Sequence, residues 1–102
     1  MDMMKDLYEP LEGRAVLVET VTLYFCGKLE AIGLRELALI NAAYVGNTGR
    51  KMEAIQTAEF AEVQPLTTTM GENAIPMVIN RNAITAVIPL NCSPDKRWVQ
   101  KG

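Results

Sequence analysis

The chain has 102 residues, of which 49% are hydrophobic and 22% are charged, and its formal net charge is -2. This length and apolar content indicate one globular domain with a core of its own. The small negative charge excludes a general attraction of the whole chain to nucleic acid, so such binding would need a local cluster of arginine and lysine.

The residue types that carry most enzyme chemistry are missing or scattered. The chain has no histidine, which is the commonest general base and transition-metal ligand, so neither a Ser-His-Asp nor a Cys-His site can form within it. The spacing of Glu53, Glu59 and Glu62 does not place all three on one helix face. We therefore expect a protein that is not an enzyme and that has no cofactor or metal.

The cysteine pattern and the length of the apolar runs bear on the cellular compartment. Cys26 and Cys92 lie far apart and outside any CxxC pattern, which favours free thiols in a reducing environment. No apolar run approaches the roughly 20 residues that cross a bilayer. We expect a cytoplasmic protein with no membrane partner.

The chain begins with a predicted short helix and continues with strand-forming residues. Residues 3–8 predict the helix, with Asp2 as its N-cap. Residues 15–25 are mostly Val, Leu, Thr, Tyr and Phe but do not keep one period of two. A turn near Glu19 and Thr20 therefore divides them into two strands.

Glycines punctuate the next strands. Gly27 lies inside the second strand, where it predicts a bulge or a sharp bend of the kind that a closing barrel needs. Gly33 ends this strand, and residues 37–44 alternate as a third.

Residues 45–74 predict one long insertion between strands. Gly46 to Gly49 break the strand pattern, and residues 50–60 predict a short amphipathic helix with Thr48 as a possible cap. We expect Met52, Ile55 and Phe60 to pack against the strands, and the rest of the insertion to be irregular. A connection of this length is often functional.

Residues 77–89 predict two strands around a polar turn at residues 80–82. Successive residues in both strands are apolar, which indicates that both faces of each strand are buried. We expect a neighbouring molecule to bury one of the two faces. The predicted interface residues are Met77, Val78, Ile79, Ile84, Ala86, Val87 and Ile88. Residues 91–102 form a polar tail that we expect to be mobile, with Trp98 either docked on a neighbour or free.

The ending Asn-Arg-Asn-Ala-Ile-Thr-Ala-Val-Ile-Pro at residues 80–89 resembles the second Sm motif, in particular the Hfq form Tyr-Lys-His-Ala-Ile-Ser-Thr-Val-Val-Pro. Residues near the positions of the first Sm motif are Pro10, Leu11, Gly13, Arg14, Val16, Val18, Gly27, Leu29, Leu37, Leu39 and Ala42. The two motifs cover about 55 residues, and the insertion falls where the family has its variable loop.

The resemblance to the Sm-like family implies a fold and an assembly. The implied fold is all-β: an N-terminal helix and a small barrel of five bent antiparallel strands over residues 1–90. The implied assembly is a cyclic homo-oligomer of about five to seven subunits, in which the fourth strand of one subunit pairs with the fifth strand of the next.

The resemblance also implies single-stranded RNA as a partner, bound at two turns that face the pore. The equivalent turns here are residues 33–36 and 80–82, and the predicted RNA-binding residues are Arg81, Asn82, Asn80 and Arg35. The first turn departs from the family, because its Asp and Asn are absent and Glu36 adds a negative charge. An alternative hypothesis is a structural or adaptor ring that has lost the RNA site and binds a protein partner through residues 45–74.

Overall fold

The computed structural model describes residues 7–66, 69–70, 73–74 and 76–98. Within these residues the elements are 3₁₀ turns at Glu9–Leu11 and Arg81–Ala83, the helix α1 (Lys51–Thr57), and the strands β1 (Ala15–Thr20), β2 (Tyr24–Ile32), β3 (Glu36–Asn47), β4 (Glu62–Pro65), β5 (Thr69–Met70), β6 (Asn73–Ala74), β7 (Met77–Asn80) and β8 (Ile84–Pro89). The described residues form mostly β-sheet with antiparallel pairing, which agrees with the predicted all-β class.

One sheet of six strands dominates the fold. Its order is β4–β3–β2–β1–β8, and β7 also pairs with β3. The strand β3 is 12 residues long, so its first part pairs with β7 and its last part pairs with β4 along the same edge. The strands β5 and β6 pair only with each other among the described residues.

The start of the chain agrees with the prediction only where it is described. Residues 3–6 of the predicted helix lie outside the described residues, whereas Leu7 and Tyr8 are helical and lead into the first 3₁₀ turn. The predicted division of residues 15–25 into two strands is confirmed, but the turn follows Thr20. The hydroxyl of Thr20 donates to the Leu23 carbonyl at 2.7 Å and accepts from the Leu23 N–H at 2.9 Å. These two hydrogen bonds close the turn, so β1 extends as far as Thr20.

The predicted irregularity at Gly27 is confirmed as a bulge between β2 and β3. The strand register shifts between Cys26 and Lys28. On β3, Asn41 has a φ of 51°, a left-handed angle that asparagine tolerates. A Cβ on Gly27 would lie 2.9 Å from the Ile40 carbonyl oxygen and 3.1 Å from the Ala42 Cα. Only glycine therefore fits at this crossing of the two backbones.

Replacement of Gly27 by alanine is expected to lower the free energy of unfolding by about 1–3 kcal/mol, because backbone atoms must move to admit the methyl group. Urea denaturation followed by circular dichroism measures the loss. The control is Gly13→Asn, since Gly13 has open space around it and a φ of 83° that asparagine tolerates. Equal stability of Gly27→Ala and the unmodified chain would contradict the close approach.

Two apolar cores lie on opposite faces of the sheet, since alternate residues of β1 contribute to each. The first, here called the helix-side core, contains Ala15 and Leu17. It is covered by α1 and by residues 90–98, here called the C-terminal segment. The second, called the β7-side core, contains Val16 and Val18. Each of these four residues is at most 1% exposed, so the sheet is buried on both sides at its centre.

The insertion is more regular and more deeply packed than predicted. Phe60 is buried in the helix-side core and Ile55 packs against it, as expected, but Met52 is 69% exposed. Thr48 does not cap α1, because its hydroxyl donates to the Gly49 carbonyl and the helix begins after Arg50. Residues 62–65, expected to be irregular, form β4, whose Val63 is buried in the same core.

The expectation of a mobile tail is wrong as far as Trp98. Leu90 and Trp98 are 1% and 6% exposed, and both belong to the helix-side core. The ring of Trp98 packs on Phe60 with centroids 5.8 Å apart. These two side chains, together with the partly buried Cys92, anchor an otherwise polar segment to the sheet.

Candidate functional site

The two turns singled out in the sequence are neighbours in the structure. The strand pairing places Glu36 opposite Asn80, and the N–H of Arg81 donates to the Arg35 carbonyl at 2.7 Å. The pairing of β7 with the start of β3 therefore brings Arg35 beside the predicted residues Asn80, Arg81 and Asn82.

The guanidinium of Arg81 is bound to the chain itself. Its Nη1 donates to the Gly33 carbonyl at 2.6 Å and to the Leu34 carbonyl at 2.9 Å. Its Cζ lies 5.1 Å from the centroid of the Tyr8 ring, a cation–π contact. Arg81 thus holds together the two turns and the N-terminal segment. The sequence reasoning, which predicted Arg81 as an RNA-binding residue, missed this clamp.

The other predicted residues divide into one that shapes the turn and two that face solvent. The side-chain oxygen of Asn80 accepts from the Asn82 N–H at 2.8 Å, which caps the 3₁₀ turn. Arg35 and Asn82 are exposed, and Leu34 beside them is 80% exposed. Glu36 forms no ion pair with Arg35 or Arg81 in the described part of the chain.

The edge strands give the site its second feature. The strands β7 and β8 follow each other in the chain, with only the Arg81–Ala83 turn between them, yet they do not pair with each other. Along the order β7–β3–β2–β1–β8 they are the two ends, and each has a single partner among the described strands. Each strand therefore leaves one row of backbone N–H and C=O groups without a strand partner.

The predicted interface residues are covered unequally by the chain itself. Met77, Ile79, Ile84 and Val87 pack in or against the β7-side core, and Ile88 packs against the helix-side core. Ala86 is half-buried, and Val78 is 60% exposed. The insertion and the C-terminal segment thus supply the cover that was expected of a neighbour for Ile88, whereas Val78 keeps an open apolar face.

An ion pair that the sequence reasoning missed attaches α1 to the sheet. The Nζ of Lys51 binds the carboxylate of Glu19, which is 8% exposed at the end of β1. The same Nζ lies 5.7 Å from the Tyr24 ring centroid. The hydrogen bond to Glu19 raises the pKa of Lys51, so the ammonium group of Lys51 is charged at neutral pH. A lone buried glutamate in a strand is the signal that could have suggested a nearby cation.

The two cysteines are free thiols. Burial raises the pKa of Cys26, and partial burial also raises the pKa of Cys92. Both thiols are therefore protonated at neutral pH and are poor nucleophiles. Among the described residues, no group of three or more Cys, Asp or Glu side chains is placed to hold a metal ion. No helix in the described ranges is long and apolar enough to span a membrane.

Comparison of the chain with protein-family models, with curated proteins and with solved structures finds no match. The class that the described residues define is an antiparallel β-protein with the short helix α1 packed on its sheet.

Proposed function

We propose that the chain is an Sm-like subunit that assembles with copies of itself into a closed ring. The observation that carries the proposal is the position of β7 and β8, which are consecutive in the chain but form opposite ends of the strand order. Pairing of β7 from one copy with β8 of the next satisfies both open edges. Because this contact is head-to-tail, its repetition closes a ring when the rotation allows.

The exposed face of β7 supports this role. Val78 is 60% exposed in the isolated chain, next to the unpaired edge of β7. A partner strand laid along this edge would place cross-strand side chains beside Val78, covering part of its apolar surface, and would supply the missing backbone hydrogen bonds. A lysine in place of Val78 tests the proposal, with the mass of the particle in solution as the readout.

We further propose single-stranded RNA as the ligand of the ring, bound at the turns of residues 33–36 and 80–82. Arg35, Leu34 and Asn82 are exposed together there, and the guanidinium of Arg35 forms no ion pair with any described residue. A ring would repeat this cation around one opening, which concentrates positive charge that the net charge of -2 conceals. Arg35 supplies a planar donor for phosphate, and Asn82 supplies an amide for a base edge.

Arg35→Ala is expected to weaken binding of a short fluorescent single-stranded RNA by about ten-fold or more, through loss of a charge-assisted hydrogen bond. Wild-type affinity should fall steeply with added salt. Arg14→Ala is the matched control, since Arg14 is an exposed arginine outside both turns. Arg81 is unsuitable for this test, because its replacement would release both turns. Unchanged binding by Arg35→Ala, or no binding at low salt, would contradict the RNA proposal.

The adaptor alternative finds less support in the insertion. Ala54, Phe60 and Val63 of this segment lie in the helix-side core, so the segment is part of the folded unit. Deletion of residues 47–73 would remove this core and would not isolate a partner surface. Exposed Met52 is the one large apolar side chain that the described part of the insertion presents to solvent.

A further inference from the structure

The C-terminal segment forms one wall of a cleft that none of the predicted RNA-binding residues lines. Lys96, Arg97 and Trp98 face Asn41 and Ala42 at the bulge of β3, and Pro65 and Leu66 at the end of β4. The cleft has a volume of about 250 Å³, which suits one planar ring system more than a large ligand. It exists because Trp98 docks in the helix-side core and holds its two basic neighbours beside the sheet.

The lining of the cleft separates apolar from polar groups. Exposed Pro65 and half-buried Leu66 supply most of the apolar surface, while Ala42 and Trp98 are buried beneath it. Arg97 is exposed and Lys96 is half-buried, and neither forms an ion pair with a described residue. The Nζ of Lys96 lies 5.8 Å from the Trp98 ring centroid, which keeps this charge next to the apolar surface.

Asn41 adds an amide at the mouth of the cleft. Its left-handed backbone angle, with a φ of 51°, belongs to the bulge opposite Gly27, and its side chain is exposed. Among the described residues this amide makes no hydrogen bond within the chain. It therefore has both its donors and its acceptor available to a ligand.

The two acidic side chains near the cleft, Glu59 and Asp95, do not line it and so do not neutralise its positive charge. Glu59 lines a separate cavity on the other side of Lys96, Arg97 and Trp98 and already has an interaction of its own. Asp95 precedes Lys96 and is exposed, but it does not line the cleft. Among the residues that the structure describes, the lining contains two positive side chains and no carboxylate.

We propose that this cleft binds a nucleotide. A nucleobase is flat and apolar on its faces and polar at its edge, which matches an apolar surface with one amide at the rim. The phosphate carries negative charge, which matches Arg97 and Lys96. A free nucleoside monophosphate and the end of a single strand share this chemistry. The proposal uses different residues from the turns at 33–36 and 80–82, and it does not depend on ring formation.

The chain has a single tryptophan, Trp98, so its fluorescence reports on ligands in the cleft and in the neighbouring cavity, and Asn41, which lines only the cleft, separates the two sites. The probes are AMP, UMP, single-stranded hexanucleotides of adenosine and of uridine, and inorganic phosphate. Saturable quenching by a nucleotide is expected, with phosphate alone binding more weakly. Equal affinities for the monophosphate and the hexamer would indicate a free nucleotide, and tighter binding of the hexamer would indicate a strand. Either result supports the cleft.

Two variants locate the site without disturbing the fold. Arg97→Ala removes an exposed cation and is expected to weaken binding about ten-fold or more. Asn41→Gly keeps the left-handed backbone angle and removes the amide, so it is expected to weaken AMP binding but not phosphate binding. Arg14→Ala and Arg35→Ala are the controls and should leave quenching unchanged. No saturable quenching, phosphate as tight as AMP, or loss in Arg35→Ala but not in Arg97→Ala would overturn the proposal.

Discussion

Replacement of Trp98 by alanine is expected to lower the free energy of unfolding by about 3–5 kcal/mol. Trp98 is 6% exposed and packs on Phe60, in the helix-side core that also holds Ala58 and Val63. Its truncation leaves a cavity and releases the C-terminal segment from the sheet. Small domains are stable by about 5–15 kcal/mol in total, so the loss is a large share.

Urea denaturation followed by far-ultraviolet circular dichroism measures this loss without needing the tryptophan itself. Trp98→Phe retains an aromatic ring against Phe60 and should lose clearly less stability. Met52→Ala removes an apolar side chain that is 69% exposed and should stay within about 0.5 kcal/mol of the unmodified chain. A Trp98→Ala protein as stable as Met52→Ala would show that the C-terminal segment does not cover the sheet.

Replacement of Val78 by lysine is expected to leave the subunit folded and to prevent assembly. The side chain is 60% exposed in the single chain, so the lysine can reach water in the monomer. In the proposed ring the same position lies beside the contact between β7 and β8, where a lysine loses part of its hydration against apolar side chains of the neighbouring strand, and this cost recurs at every contact of the ring. Dissociation should therefore shift by about a hundred-fold or more in subunit concentration.

Light scattering on a sizing column reads the outcome as a change from an oligomer to the 11.3 kDa monomer. Met52→Lys is the matched control, because it places the same charge on an exposed apolar position of α1, away from the edge strands. Circular dichroism should be unchanged in both variants. An assembly that survives Val78→Lys as fully as Met52→Lys would contradict the proposed contact.

The sequence predicted the strands well because their signals are local. A glycine within a strand indicates a bulge, and alternating strand-forming residues indicate a strand. Both signals depend only on residues that are close together in the sequence. Because successive side chains of a strand point to opposite faces, the consecutive apolar residues in 77–79 and 84–88 also indicated that both faces of these strands are apolar. The sequence pattern could not say what covers each face, and for Ile88 the cover is the helix-side core of the same chain.

The missed features all depend on contacts between distant parts of the chain. Arg81 binds carbonyl groups of residues 33 and 34, and Lys51 binds Glu19. Trp98 lies in a polar stretch of the sequence, and only the fold shows that its ring packs on Phe60. For the candidate site, the family resemblance named the turns at 33–36 and 80–82, and the structure brings them together because β7 pairs with the start of β3. The sequence could not foresee that Arg81 would be used to hold them together.

The mass of the unmodified protein in solution at micromolar concentration tests the assembly proposal most directly. Sedimentation equilibrium over a range of dilutions gives this mass independently of shape. For a closed ring we expect a single species whose mass is a fixed multiple of 11.3 kDa and does not change on dilution. A monomer of 11.3 kDa throughout that range would contradict the proposed ring.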